Sequence, residues 1–226
     1  MGSTMRSFIQ RQFDWIALND RKYAFMFDKD TSGEVVSIDC ETTGLNPKKD
    51  DIVSIAAVKI RGHQILTSEA YRVAVNPEAL MGGDSIRIHQ IRKKDVEEER
   101  PIRKVLPDLL NFIGNRPIVG YWTSFDVSMI NKDVFMMLNI CLQNPVIDVC
   151  DMYYDRKYGN APPGTKLDLR FAAILEDLKL PPLQAHDAFN DAVSTAQMYV
   201  ILKDMKARGV RLHRDRNTDL PQAPMG

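Results

Sequence analysis

The chain has 226 residues, 44% hydrophobic and 27% charged, which is enough for one well-buried globular domain and rules out a disordered or fibrous composition. Lys plus Arg and Asp plus Glu number 30 each, so the formal net charge is zero and global basicity gives no support to nucleic-acid binding; any such recognition has to come from local patches. No apolar stretch reaches the length of a membrane span, the N-terminus lacks the apolar core of a signal peptide, and Cys40, Cys141 and Cys150 make neither an even set nor a Cys-x-x-Cys pair, so the expectation is a cytoplasmic protein with no membrane contact.

In chain order, residues 1–33 read as an extension ahead of the main domain. Ile9, Phe13 and Ile16 recur at helical spacing and predict a short amphipathic helix, followed by an apolar patch at Tyr23 to Phe27. This is more hydrophobic surface than a free tail exposes, so the segment is expected to dock on the rest of the chain or on a second copy of it. The domain proper is expected over 34–207. Val35 to Ile38 is an apolar run that predicts a buried strand, and Asp51 to Arg61 and Gln64 to Val75 predict two more, joined at Gly62-His63 in an antiparallel meander that ends at Asn76-Pro77. A helix is expected from Ile102 to Ile113, stopping at Gly114, then a short buried strand at Pro117 to Gly120. Ser124 to Leu138 predicts a helix with Asp126 in its first turn, Pro145 to Ile147 a fifth strand, and Asp148 a cap for the helix after it. Thr165-x-x-Asp168 has the form of a capping box before a helix at Leu169 to Leu178, which Pro181-Pro182 closes. The last helix is expected from Ala188 to Lys206, with Ala188, Ala192, Thr195 and Tyr199 as a small-residue face that can lie close on a sheet. Residues 208–226 form a basic tail. Strands first, then alternating strands and helices, predict an α/β domain with a mixed sheet flanked by helices.

The chemistry concentrates in five residues. Side chains alternate along a strand, so Asp39 and Glu41 leave the end of the first strand on one face while Cys40 points to the other. Two carboxylates that close stay ionised together only with a cation between them. Carboxylate oxygens are hard ligands that suit Mg2+ or Mn2+, and the chain offers no histidine or cysteine cluster for zinc. With Asp126 in Gly-Tyr-Trp-Thr-Ser-Phe-Asp and Asp191 in His-Asp-Ala-Phe-Asn-Asp-Ala, four carboxylates can hold two divalent ions about 3.5–4 Å apart, the arrangement that serves phosphodiester cleavage. His186 supplies a base, since a neutral imidazole of pKa about 6.5 can take a proton from the attacking water.

In this order and separation the residues resemble the DEDD superfamily of 3′-to-5′ exonucleases, of the histidine type typified by the proofreading epsilon subunit of bacterial DNA polymerase III. The motifs stand here as Asp39-x-Glu41-Thr42-Thr43-Gly44-Leu45, Phe125-Asp126 and His186-x-Ala188-x-x-Asp191-Ala192, with Ile88-His89-Gln90-Ile91 similar to the family's Ile-His-Gly-Ile, and the similarity runs from about Gly33 to Lys206. The resemblance implies a ribonuclease H-like fold with a mixed five-stranded sheet, and a metal-dependent exonuclease that trims 3′ ends of single-stranded or frayed DNA to nucleoside 5′-monophosphates. It further implies that Asp39 bridges two ions, that Glu41 and Asp191 complete the site of the ion holding the nucleophilic water, that Asp126 supports the second ion, and that His186 is the general base. Thr42 and Leu45 would hold the terminal nucleotide, with His89 and Phe125 beside them.

Several readings stay open at this level. An exoribonuclease or oligoribonuclease shares these motifs, which leaves RNA as the alternative substrate. A module that acts mainly through a polymerase partner is a second alternative, against which the short tail after Lys206 argues. Two departures from the family pattern are Tyr121-Trp122, where many members carry His-Asn, and Gln90 in place of glycine. Tyr121 and Trp122 either stack on bases or pack in the core, and His89 either meets substrate or packs under a turn. Arg87, Arg92, Lys93 and Lys94, and separately Lys203, Lys206, Arg208, Arg211, Arg214 and Arg216, either meet phosphates or are solvated surface. Asp148 and Asp168 read as caps, and Asp50 and Asp51 as turn residues.

Overall fold

A computed structural model describes residues 2–79 and 82–214; the rest of the expected basic tail, Arg216 included, lies outside the described residues. The chain opens with α1 (Gly2–Ala17) and a 3-10 turn over Arg21–Phe27 that Asp20 caps by accepting from the Lys22 N–H at 3.1 Å. This extension docks on the domain, through the expected apolar patch at Tyr23 to Phe27 and not through the predicted face of the helix. Ile9, Phe13 and Ile16 are exposed, whereas Leu18, Tyr23 and Met26 are buried in one core with Ile113, Ile130, Val134, Leu138 and Ile140. Trp15 meets Phe27 edge-on at 5.2 Å, and the Asn19 N–H donates to the Leu138 carbonyl at 3.1 Å.

β1 (Glu34–Thr42) is the strand on which the domain is built. It pairs antiparallel with β2 (Ile52–Arg61) and is buried along nearly its whole length, as a strand covered by helices on both faces must be. The third strand read from the sequence is two pieces, β3 (Gln64–Ile65) and β4 (Tyr71–Ala74), both paired with β2 and separated by a 3-10 turn over Thr67–Glu69. Beyond Asn76-Pro77 come two helices that periodicity did not reveal, α2 (Gly83–His89) and α3 (Lys93–Val96). α4 (Ile102–Ile113) matches the expected span and ends at Gly114 with φ +60°. β5 (Ile118–Gly120) runs parallel to β1, α5 (Thr123–Leu138) carries Asp126 in its first turn, and β6 (Val146–Asp148) runs parallel to β5. Asp148 caps α6 (Val149–Lys157) through the Cys150 N–H at 2.8 Å.

The predicted capping box fails. α7 spans Phe171–Asp177 with Arg170 as its N-cap; Thr165 donates to the Pro162 carbonyl, and Asp168 forms an ion pair with Arg170 instead of capping. α8 (Ala188–Ala207) closes the fold. Its small-residue face does approach the sheet, close enough for the Ser37 hydroxyl to donate to the Ala192 carbonyl at 2.8 Å. The result is an α/β fold with strand order β3-β2-β1-β5-β6, β4 sharing the β2 edge with β3.

Alternation along β1 divides the interior. Val36, Ile38 and Cys40 face the core built with α4, α5 and the N-terminal extension, while Val35 joins the core of α6, α7 and α8. At the start of β1 the buried Glu34 accepts from Arg61 Nε and Arg116 Nε, each at 2.8 Å. Burial alone would raise its pKa, but the two guanidinium groups outweigh it and hold the carboxyl below its ordinary range. Among the described residues no helix is long and apolar enough to cross a membrane.

The docked extension yields a stability test. Met26 is 2% exposed, and Met26→Ala is expected to cost about 2–5 kcal/mol, lowering the melting temperature by about 2–4 °C per kcal/mol in a chain of this size. Removing residues 1–31 is expected to lower it further while sparing the carboxylate site, read by calorimetry and ion binding; an unchanged melting temperature in both variants would contradict the packing described here.

Candidate active site

The odd-numbered residues of β1 face α8, and that parity assembles the site. Asp39 and Glu41 leave the strand on the face where α8 begins, and Asp191 enters from the first turn of that helix. Each of the three offers an oxygen, and these ligand atoms all lie within 4.8 Å of one another. Asp187, which the sequence reading passed over, caps α8 by accepting from the Asn190 N–H at 2.9 Å and adds its charge to the same neighbourhood. The available signal was its place directly before the predicted helix, where an aspartate is a common N-cap.

Asp126 reaches the site from the other side of β1. Its Oδ1 accepts the Cys40 N–H at 3.1 Å, tying α5 to the strand between Asp39 and Glu41. It is 5% exposed and stands outside the group of three whose ligand atoms converge, but its charge still acts on Asp39. His186 lies in the exposed loop before α8 at φ +60°, and its backbone N–H donates to Asp191 Oδ2 at 3.0 Å. The proposed base is thus anchored to a proposed ligand through the main chain, which leaves its imidazole free for other contacts.

The electrostatics are adverse. Burial first, then the charges of Asp126, Asp191, Glu41 and Asp187, hold the Asp39 carboxyl well above the usual range. Burial, then Asp191 and Asp187, pushes Glu41 up to about 7. Asp126 is pushed up to about 7 by burial against the pull of the Cys40 N–H, and burial also raises Asp191, although the His186 N–H and ring draw it down. A dense, partly desolvated set of carboxylate oxygens, with no lysine or arginine paired to it among the described residues, suits a hard divalent cation. Asp39, Glu41 and Asp191 are the residues that would hold one.

Beside the cluster lies a cavity of about 350 Å³ lined by Glu41, Thr42, Leu45, Ser85, His89 and Phe125. Four of the residues expected to contact substrate therefore share one space. Leu45 projects at 86% exposure from a loop held by Asp50, whose carboxylate accepts the Asn46 N–H at 2.8 Å and would lie within 2.8 Å of any Cβ at position 44, so a side chain there would displace Asp50 from its place. His89 is 6% exposed; its Nδ1 accepts the Ile91 N–H at 3.0 Å, which leaves Nε2 as the donor, buried and without a hydrogen-bond partner. Burial, with the charge of His186 behind it, outweighs a backbone contact with Thr42 and holds the imidazole below its usual range. Asp51 is more than a turn residue: it accepts the Ala79 N–H at 2.7 Å and pairs with Lys132, joining the loop after β1 to α5 and to the chain that leads into α2.

The two aromatic departures separate cleanly. Tyr121 turns inward, its hydroxyl donating to the Leu169 carbonyl at 3.1 Å and its ring edge-on to Phe171 at 5.0 Å, whereas Trp122 is 53% exposed. Trp122 has φ +52°, a left-handed conformation that costs a bulky residue about 1–2 kcal/mol. The basic residues at the C-terminal end of α8 sit away from the site: Lys206 is fifteen positions along α8 from Asp191, about 22 Å by helical rise. Arg208 pairs with Asp204 and Arg211 donates to the Asp155 carbonyl.

The comparisons agree with this geometry. Residues 36–199 match the family RNase_T, described as exonuclease. The DNA polymerase III subunit epsilon of Aquifex aeolicus is 28% identical over 181 residues, covering 80% of this chain and 86% of that protein. The PolC-type DNA polymerase III of Thermotoga maritima is 31% identical over 184 residues, 79% of this chain, and the chain spans only 12% of that protein's length. Among solved structures, Escherichia coli exonuclease I in complex with a dT13 oligonucleotide superposes with a TM-score of 0.65 at 17% identity, over 78% of this chain and 42% of that one. Exonuclease X in complex with 5′ overhanging duplex DNA does so with a TM-score of 0.59 at 23% identity, over 79% and 95%. These structural likenesses establish the ribonuclease H-like fold.

The raised carboxylates make a pH-dependent prediction. Glu41 has an ordinary pKa of 4.5 and about 7 in the fold, so across that window the folded protein binds more protons than the unfolded chain and loses stability as pH rises. In chelator the melting temperature is therefore expected to fall through this window, and Mn2+ or Mg2+ to restore it most on the alkaline side, where the ligands are deprotonated. Asp39→Asn is expected to raise the melting temperature in chelator and to abolish the response to ion. Identical alkaline melting curves with and without divalent ion would remove the case for an ion site.

Proposed function

The chain belongs to the RNase_T exonuclease family, and on that premise we propose that it is a 3′-to-5′ exonuclease releasing nucleoside 5′-monophosphates from single-stranded or frayed DNA ends. The observation that carries the reading is the convergence of Asp39, Glu41 and Asp191 within 4.8 Å beside a cavity of nucleotide scale. Two divalent ions, Mg2+ or Mn2+, bound by these carboxylates and Asp126 would neutralise the charge that builds on the phosphate and acidify the attacking water.

The protein's own groups do the rest. The terminal nucleoside enters the cavity with its base against Leu45 and Phe125, and the buried His89 Nε2–H donates to its sugar end. Thr42 is buried with its hydroxyl donating to the Gly44 carbonyl, which holds the wall of the cavity in shape. His186, exposed and tethered to Asp191 by its main chain, accepts the proton of the attacking water. Arg87, Lys93 and Lys94 follow on α2 and α3, where their exposed charge suits the phosphates of the incoming strand. The names of the polymerase relatives suggest a polymerase that presents such ends, so stimulation by an added polymerase is part of the same reading.

End-labelled single-stranded DNA, single-stranded RNA and a mismatched primer duplex, each with Mg2+, Mn2+ or chelator, test the proposal. A ladder shortening from the 3′ end, dependent on ion and faster on DNA, is expected; ion-independent cleavage or internal cuts would refute it, and faster trimming of RNA would make the protein an exoribonuclease. Asp39→Ala and Glu41→Ala should abolish hydrolysis. His186→Ala is expected to lower turnover by about 10²–10⁴-fold with ion binding intact; if ion binding collapses instead, His186 is a ligand and not the base.

A further inference from the structure

We propose that Trp122 is a stacking platform for the nucleobase upstream of the scissile phosphate, so that it determines how strongly the enzyme holds more than a single nucleotide. The proposal rests on the exonuclease reading. It starts from the topology of the sheet. β1, β5 and β6 run parallel, and β4, antiparallel to β2, runs the same way, so the carboxyl ends of all four lie along one edge. The proposed ligands Asp39 and Glu41 sit at that end of β1, and Trp122 stands two residues beyond the end of the neighbouring β5, with Phe125, three residues further along α5, in the wall of the cavity. Neighbouring strands are about 4.8 Å apart. A nucleotide chain whose terminal unit fills the cavity and whose phosphate meets the carboxylates continues over the end of β5, where the indole waits.

The local structure supports an active role for the ring. Trp122 is 53% exposed; the edge of Tyr121 lies 6.1 Å from its ring, and its indole N–H meets the Tyr121 hydroxyl. Its left-handed backbone, φ +52°, suits glycine or asparagine and not a large side chain, so the backbone conformation does not account for an indole at this position. The backbone under it is rigid. A Cβ at Gly120 would come within 2.8 Å of the Thr123 side chain; the Thr123 N–H donates to Asp148 Oδ2 at 2.9 Å; and Tyr121 is clamped between Leu169 and Phe171. Trp122 is also the N-cap of α5, one turn ahead of Asp126, so the platform and the acidic site share one rigid element. An open aromatic face is what binds single strands without reading their sequence.

The chain has two tryptophans, and Trp15 lies in the N-terminal extension, so Trp15→Phe leaves Trp122 as the sole indole reporter. Oligothymidylate with a phosphorothioate 3′ linkage is expected to quench its fluorescence, and thymidine 5′-monophosphate is not; an unquenched signal at saturating oligonucleotide overturns the proposal whatever the activity. In kinetics, Trp122→Asn is expected to raise KM for oligothymidylate about 5–150-fold, the loss of one stacked base, while kcat stays near wild type. The p-nitrophenyl ester of thymidine 5′-monophosphate, which has no upstream base, should be cleaved equally by both proteins, and Trp122→Phe should recover most of the oligonucleotide affinity. Equal KM values on oligonucleotide, or parallel losses on both substrates, would overturn the platform. Wild-type protein that cleaves neither substrate yet shows the quench refutes the exonuclease reading alone and upholds the platform.

Discussion

Asp39, Glu41 and Asp191 converge to within 4.8 Å at the end of a strand that is otherwise sealed, and their mutual repulsion is the constraint around which the fold is arranged. Burial is the larger part of the problem and like charge adds to it, so each carboxyl resists ionisation. A chain gains nothing in stability from such a cluster without a cation. It persists because both supporting elements are held elsewhere: β1 by its ladder with β2 and by Glu34 between two arginines at its far end, and α8 by twenty residues of helix packed on the sheet.

Strand parity turns that constraint into a site. The same alternation that sends Val36, Ile38 and Cys40 into one core sends Asp39 and Glu41 toward α8, while the amide of Cys40, between them, receives Asp126 from α5. Two helices thus reach one end of β1, one from each of its faces. A register slip of one residue in β1 would exchange the acidic pair for Ile38 and Cys40 and bury the charge in the wrong core. The close seat of α8, with the Ser37 hydroxyl on the Ala192 carbonyl, is what lets a carboxylate as short as that of Asp191 arrive.

What could be read in the residues was local and periodic. The parity of Asp39 and Glu41, the stop of α4 at Gly114, the cap by Asp148 and the first-turn place of Asp126 each depend on a few neighbouring positions, and each recurs in the fold. What could not be read depends on partners distant in sequence. The strand expected at Gln64 to Val75 breaks because β2 pairs its two halves out of step and Thr67–Glu69 loops out between them. Thr165 and Asp168 had the spacing of a capping box, but Asp168 found Arg170 and the helix began later. The apolar face of α1 had the right period and the wrong direction, since the core accepts Leu18, Tyr23 and Met26 in its place. α2 escaped notice because seven residues with one buried side chain leave almost no periodic signal, yet that side chain is His89.

Backbone strain has its own distribution, and it supports the placement of the site without reference to any motif. Among the described residues, five other than glycine have positive φ: Gln90, Trp122, Asn139, Lys179 and His186. Gln90 and Asn139 are left-handed C-caps of α2 and α5, and Lys179 follows the last turn of α7. Trp122 and His186, by contrast, stand beside the helix of Asp126 and the proposed ligand Asp191, in two separate loops. Unfavourable conformations at bulky side chains survive only where the surrounding structure over-determines them, and they gather where geometry serves something other than stability. Here Trp122 caps the helix that carries Asp126 and the His186 N–H donates to Asp191, so both of these left-handed residues are tied to members of the carboxylate group.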